Sequence, residues 1–216
     1  MIERGLDEVE ARRFYDAYGR RLDLGEAFEG RAKELAREWL APVPGERLLE
    51  VGVGCGHALA FARERVGDAG LVVGLDLSTT MLELSRARAP GARLVRGSIH
   101  RLPFAGETFS AVLSSYLLDL LPGALLVPAL RELGRVLTPE GRLVLCGLTC
   151  GRTWLERGTM ALWSAIHRTA PARVGGCRPL ELSSLAEEAG LRLERRAHVG
   201  QLGVPSEVLL LRGSSG

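Results

Sequence analysis

The stretch that most constrains this chain is Leu48-Leu49-Glu50-Val51-Gly52-Val53-Gly54-Cys55-Gly56, a short apolar run entering three glycines at alternate positions. Glycines there let a strand turn tightly into a helix and let another molecule approach the backbone closely. A helix is predicted directly afterwards, from His57 to Val66.

The same alternation continues downstream. Leu71–Asp76 reads as a second strand, followed by a helix over 79–89, and 92–96 reads as a third strand. Residues 109–116 read as a fourth strand, followed by a helix over 124–137, and 142–146 reads as a fifth. Strands separated by single helices predict a doubly wound α/β fold, with a parallel sheet and right-handed crossovers. After a helix over 182–189, the strands 191–195 and 206–211 leave little room for a crossover helix. An antiparallel hairpin at one sheet edge is expected there. Two helices precede the sheet, over 7–21 and 26–40, and 152–179 is expected to be an irregular, partly helical insert. The chain is read as one domain over 1–216, with residues 1–41 and 152–179 forming a cap. Gly213-Ser214-Ser215-Gly216 reads as a flexible tail.

Composition removes several classes. With 216 residues a chain folds without disulfides or metals. The 28 basic and 26 acidic residues balance to +2, which argues against a nucleic-acid scaffold and against disorder. Lys33 is the only lysine and Gln201 the only amide side chain, a bias that fits a thermophile or a GC-rich genome. Residues 1–8 do not read as a signal peptide, and the apolar stretch 112–130 is broken by Asp119, Pro122 and Pro128. Cys55, Cys146, Cys150 and Cys177 show no metal-ligand spacing, so a cytoplasmic protein with reduced thiols and no metal is expected.

Asp76 closes the second strand, 20 residues after Gly56. An acid at that place in a doubly wound sheet accepts two hydrogen bonds from a ribose diol, the alternative being a helix cap. The loop has the spacing G-x-G-x-G, and His57 stands where a dinucleotide fingerprint places its last glycine. An adenosine ligand without a diphosphate therefore fits better than NAD.

With these motifs the sequence resembles the class I S-adenosylmethionine (SAM) dependent methyltransferases (EC 2.1.1 class), of the type related to ubiquinone/menaquinone biosynthesis. Four segments over roughly 47–148 carry the resemblance: the glycine loop, Val73–Leu82, Leu102-Pro103-Phe104 with Phe109–Ser114, and Leu130–Leu143. It implies a Rossmann-like, mostly parallel seven-stranded sheet that includes the hairpin. It also implies that Glu50, Gly52, Val53, Gly54 and Gly56 surround the methionine part of SAM. Asp76 would hold the ribose, Leu77 and Met81 would flank the adenine, and Ser98, Ile99 and His100 would meet its edge. Ser114 and Ser115 would face the sulfonium, with Tyr15 and Tyr18 folded over the cofactor. Two positions depart from the family pattern: Ser98 stands where an Asp usually accepts from the adenine amino group, and Ser110 replaces another Asp.

A methyl transfer to carbon needs a general base. Asp119, Tyr116 and His167 are the candidate catalytic residues, with a helix-start carboxylate and a structural histidine as alternatives for the first and last. Trp154, Leu155, Met160 and Trp163 are expected to make the cap apolar, either around a small hydrophobic acceptor or as packing of its own. The Gly175-Gly176-Cys177 turn is expected to line the substrate pocket. The expectation is a small-molecule methyltransferase with no nucleic-acid partner and no stable membrane insertion, a homodimer being left open. The competing readings are a SAM-binding protein without turnover and an NAD-dependent reductase.

Overall fold

The computed structural model describes residues 7–19 and 26–213. The beginning of the chain, the end of the first predicted helix past residue 19 and the last three tail residues lie outside them. Two helices, α1 (Glu8–Tyr18) and α2 (Glu26–Leu40), precede the alternating part. That part runs β1 (Arg47–Val51), α3 (His57–Val66), β2 (Leu71–Asp76), α4 (Thr79–Arg88), β3 (Arg93–Arg96), β4 (Phe109–Ser115), α5 (Gly123–Val136) and β5 (Leu137–Leu148). The chain then continues through α6 (Trp154–Thr169), α7 (Leu182–Glu188), β6 (Arg192–Gln201) and β7 (Val204–Arg212).

The seven strands form one sheet in the order β3-β2-β1-β4-β5-β7-β6. Strands β1 to β5 pair in parallel, whereas β7 runs antiparallel to both β5 and β6. Helices cover both faces, which explains why the strands read as continuous apolar runs rather than alternating ones. Leu49, Val112, Leu143 and Leu209 point to a core shared with α5 and α7. Their neighbours Leu48, Leu113, Val144 and Val208 point to a second core shared with α2 and α3. Each fully buried leucine contributes roughly 1.5–3 kcal/mol.

Two expectations need correction. The insert is partly helical as read but more regular in its first half, because α6 is a sixteen-residue helix opened by a capping box between Thr153 and Glu156; only 170–179 lacks an α-helix. The β6–β7 connection is not a loop but a tight turn through Leu202 (φ 50) and Gly203 (φ 81), so both strands are longer than read. Two consecutive residues with positive φ match the twist of a two-residue hairpin. Arginines mark both outer strands: Arg93 and Arg96 on β3, and Arg192, Arg195 and Arg196 on β6. Charges there discourage edge-to-edge pairing with another sheet.

Candidate functional site

The glycine loop leaves β1 and arches over the end of β2. Gly52 donates its backbone N–H to Leu75 O at 2.8 Å, and all three glycines have positive φ (79, 50 and 81°). Ser85 Oγ donates to Gly54 O at 3.0 Å and Arg88 Nη1 to Cys55 O at 2.7 Å, so α4 fixes the loop from behind. Asp76, half-buried, accepts from Ser78 N at 2.9 Å and from Gly54 N at 3.2 Å. Helix α4 is capped instead by Ser78, whose Oγ accepts from Met81 N at 3.2 Å. The helix-cap alternative for Asp76 thus falls away, and its remaining lone pairs face a cavity. Burial pushes this carboxyl up to about 6.

That cavity measures about 690 Å³, within the range of small-molecule sites. Its wall includes Glu50, Gly52, Val53, Gly54, Gly56 and Asp76 from the strand ends, and Leu77 and Met81 from the start of α4. Ser98, Ile99, His100, Ser115 and Tyr116 complete that side, and Tyr15 and Tyr18 of α1 close it from above. Glu50 is 4% exposed, and its Oε2 has no hydrogen-bond partner among the described residues. Burial, with Asp76 nearby, pushes its carboxyl up to about 8. An unpartnered carboxylate oxygen on a cavity wall is costly unless a cationic or donor group completes it.

The roof is tied down at three points. Tyr15 Oη donates to Gly175 O at 3.1 Å, joining α1 to the turn after α6. Ser78 Oγ donates to Asp16 at 2.5 Å, and Ser98 Oγ donates to Glu8. Trp163 Nε1 donates to Cys177 O at 2.8 Å, and both residues line the cavity together with Gly175. The apolar residues of α6 divide: Trp163 lines the cavity, Met160 is core, and Trp154 and Leu155 are exposed at 84% and 51%.

Three candidates are not on the wall. Ser114 is buried within the sheet, donating to Val51 O at 3.1 Å. Asp119 is fully buried behind it, where its Oδ2 accepts from Leu148 N at 2.7 Å and burial pushes its carboxyl up to about 8. A Cβ on Gly147 would lie 2.4 Å from Asp119 Oδ1, so the carboxylate fits only against a glycine. His167 sits 3.1 Å from Gly176 O and braces the turn from outside. The third candidate base, Tyr116, does line the cavity, held at φ 53 with its hydroxyl 2.7 Å from Ser206 Oγ.

The sequence reading passed over the inner face of α2. Glu29, Lys33 and Arg37, spaced four apart, all line the cavity. Lys33 Nζ lies 2.9 Å from Glu29 Oε2 and 5.4 Å from the centre of the Tyr116 ring. The signal available was the single lysine of an arginine-based chain, one helical turn after a glutamate.

Residues 48–141 match the methyltransferase domain family. A demethylmenaquinone methyltransferase of Corynebacterium kroppenstedtii is 34% identical over 142 residues, 63% of this chain and 59% of that protein. The chain thus spans less than two thirds of that relative. An uncharacterised methyltransferase of Synechocystis sp. is 29% identical over 182 residues, 84% of each chain. Among solved structures, a Haloferax volcanii protein in complex with a methyltransferase activator superposes with a TM-score of 0.75. It shares 18% identity over 95% of this chain and 98% of that one, a likeness of fold.

Proposed function

Because the chain belongs to the class I SAM-dependent methyltransferases, of the type that includes ubiquinone/menaquinone-biosynthesis enzymes, we propose that it methylates a small, largely apolar acceptor inside this cavity. The observation that carries the reading is the meeting of three groups on one wall: the glycine loop, Asp76 with spare lone pairs, and the buried, unpartnered Glu50 oxygen. These suit, in turn, the close approach of an amino-acid tail, a ribose diol and an ammonium group. SAM, when bound, supplies a methyl on a sulfonium with a good leaving group. The chain's own task is to align that methyl with the acceptor and exclude water.

Both departures from the family pattern are compatible with binding. Ser110 lies at the far end of β4, donating to Arg47 O at 3.2 Å, away from the cavity. Ser98 holds Glu8 of α1, and Glu8 lines the cavity. In this reading the Glu8 carboxylate does the work of the missing Asp at the adenine edge. The acceptor lobe lies beyond the glycine loop, bounded by Phe28, Tyr15, Leu121, Trp163 and Val204. A hydrophobic acceptor suits such walls, and the demethylmenaquinone methyltransferase relative makes a ring-bearing one reasonable. No helix among the described residues is long and apolar enough to cross a membrane.

Calorimetric titration with S-adenosylhomocysteine and NAD tests the reading. Micromolar binding of the first, about −8 kcal/mol, with NAD silent, is the expected outcome. Asp76→Ala should weaken that binding by about 1.5–3 kcal/mol, the range for a hydrogen bond to a charged group. Unchanged affinity would remove Asp76 from the ribose site.

A further inference from the structure

We propose that Glu29 and Lys33 form the proton-handling pair of the acceptor lobe: Glu29 takes the proton of a weakly acidic acceptor hydroxyl, and Lys33 holds the oxygen left behind. The inference rests on the methyltransferase reading and adds to it the residues that meet the acceptor.

An i,i+4 ion pair on an open helix surface needs no explanation and contributes little. This one is different in place. Both side chains are only 20% exposed, and both line a cavity with otherwise largely apolar walls. Partial burial of two charges costs desolvation that their mutual attraction does not fully return. The chain nevertheless spends its only lysine there, against the face of the Tyr116 ring.

The other ionisable groups around this lobe are committed elsewhere. The Tyr15 hydroxyl donates to Gly175, and the Tyr116 hydroxyl is bonded to Ser206. Burial holds both hydroxyls and the Cys177 thiol well above their usual range, and the negative charge of Glu29 adds to each shift. Glu29 therefore lies within electrostatic reach of all three. Arg37 and Glu50 line the same cavity, Glu50 lying within electrostatic reach of both Lys33 and Arg37, and Arg173 comes from the turn after α6. Asp119 and His167 are off the wall.

The proton balance favours a hydroxyl over a carboxylic acid. When the acceptor O–H bond breaks and its proton joins Glu29, the carboxylate charge vanishes as the oxyanion appears. The negative charge passes from Glu29 to the acceptor oxygen beside Lys33, so the charge of the lobe is constant. An acceptor arriving already as a carboxylate would put two anions beside one ammonium.

The test uses 4-nitrophenol, whose ionised form is read by its visible absorbance, with 4-nitroanisole as the neutral control. Bound to the parent protein, 4-nitrophenol should ionise at least tenfold more readily than in solution, about 1.4 kcal/mol. Lys33→Met should abolish that gain. Glu29→Gln should increase it, because in the un-ionised complex Lys33 no longer has the Glu29 carboxylate to pair with. Affinity for 4-nitroanisole should be the same in all three proteins. A bound phenol that titrates as in solution, one that titrates alike in parent and Lys33→Met, or no phenol binding at all overturns the proposal. Calorimetry with S-adenosylhomocysteine on the same variants keeps the two readings apart. Parent binding of that ligand without the phenol effect sinks the pair alone, whereas the phenol effect without such binding sinks the methyltransferase reading.

Discussion

Replacing Gly56 by valine should lower stability by about 3 kcal/mol or more and abolish binding of S-adenosylhomocysteine. Gly56 opens α3 at φ 81, a conformation that a β-branched residue adopts only with strain of about 1–2 kcal/mol. Even a Cβ there would sit 2.8 Å from both Cα and Oγ of Ser85, so backbone as well as side chain must move. Overpacking of that kind costs about 1–3 kcal/mol. Moving Ser85 also removes its hydrogen bond to Gly54 O, which holds the loop on the cavity wall. For a chain of this size each kcal/mol lowers the unfolding midpoint by about 2–4 °C. A Gly56→Val protein that melts with the parent and still binds the ligand would show that the loop is neither tight nor part of the site.

Stability should fall as pH rises from about 5 to about 8. Burial lifts Glu50 from its ordinary 4.5 to about 8, and Asp119 from 3.8 to about 8. Between those limits the native protein holds protons that the unfolded chain has lost. Each group then lowers the unfolding free energy by up to about 1.4 kcal/mol per pH unit, and the loss is complete above the native value. Asp16 and Glu132 act oppositely, because hydrogen bonds to Ser78 and Arg135 respectively hold their carboxyls low. Their contribution is present above the unfolded values and lost as pH falls through the lowered ones, which places maximum stability near pH 5. Urea unfolding across this range measures the slope. Asp119→Asn keeps an oxygen for Leu148 N and should flatten the profile by one group's share. A parent whose stability is level or rising between pH 5 and 8 would contradict the burial of these carboxyls.

The alternating part of the fold was legible because its signals are local. Helix α3 and strand β2 fall where glycines and apolar runs put them, since a strand covered on both faces cannot disguise itself. Helix α6 was hidden because Gly158, Thr159 and an exposed Trp154 blur its apolar period, while its capping box is a two-residue signal in a polar stretch. Within the site, the glycine loop, Asp76 and Glu50 were visible because motif and spacing carry them. Asp119 was misplaced relative to the wall: position after β4 fixes its neighbourhood, but which way the single turn Leu118–Leu120 points its carboxylate depends on β5 and on Gly147. The Glu29–Lys33–Arg37 face escaped notice because charged residues four apart on a helix usually face solvent. Only the packing of α2 across the sheet turns this ridge inward.

The position of β7 also bears on how the protein is made. Strand β6 leaves the ribosome before β7, yet β7 separates it from the rest of the sheet. A nascent chain that has reached residue 203 therefore carries β6 with nothing to pair to, and β5 with one open hydrogen-bonding edge. Both close together when residues 204–212 emerge and slot between them. Until then the β5 edge is exposed to pairing with other chains. A truncation that trims this end is thus not equivalent to removing an outer strand. It splits the sheet from within, and β6 is lost along with the residues actually deleted.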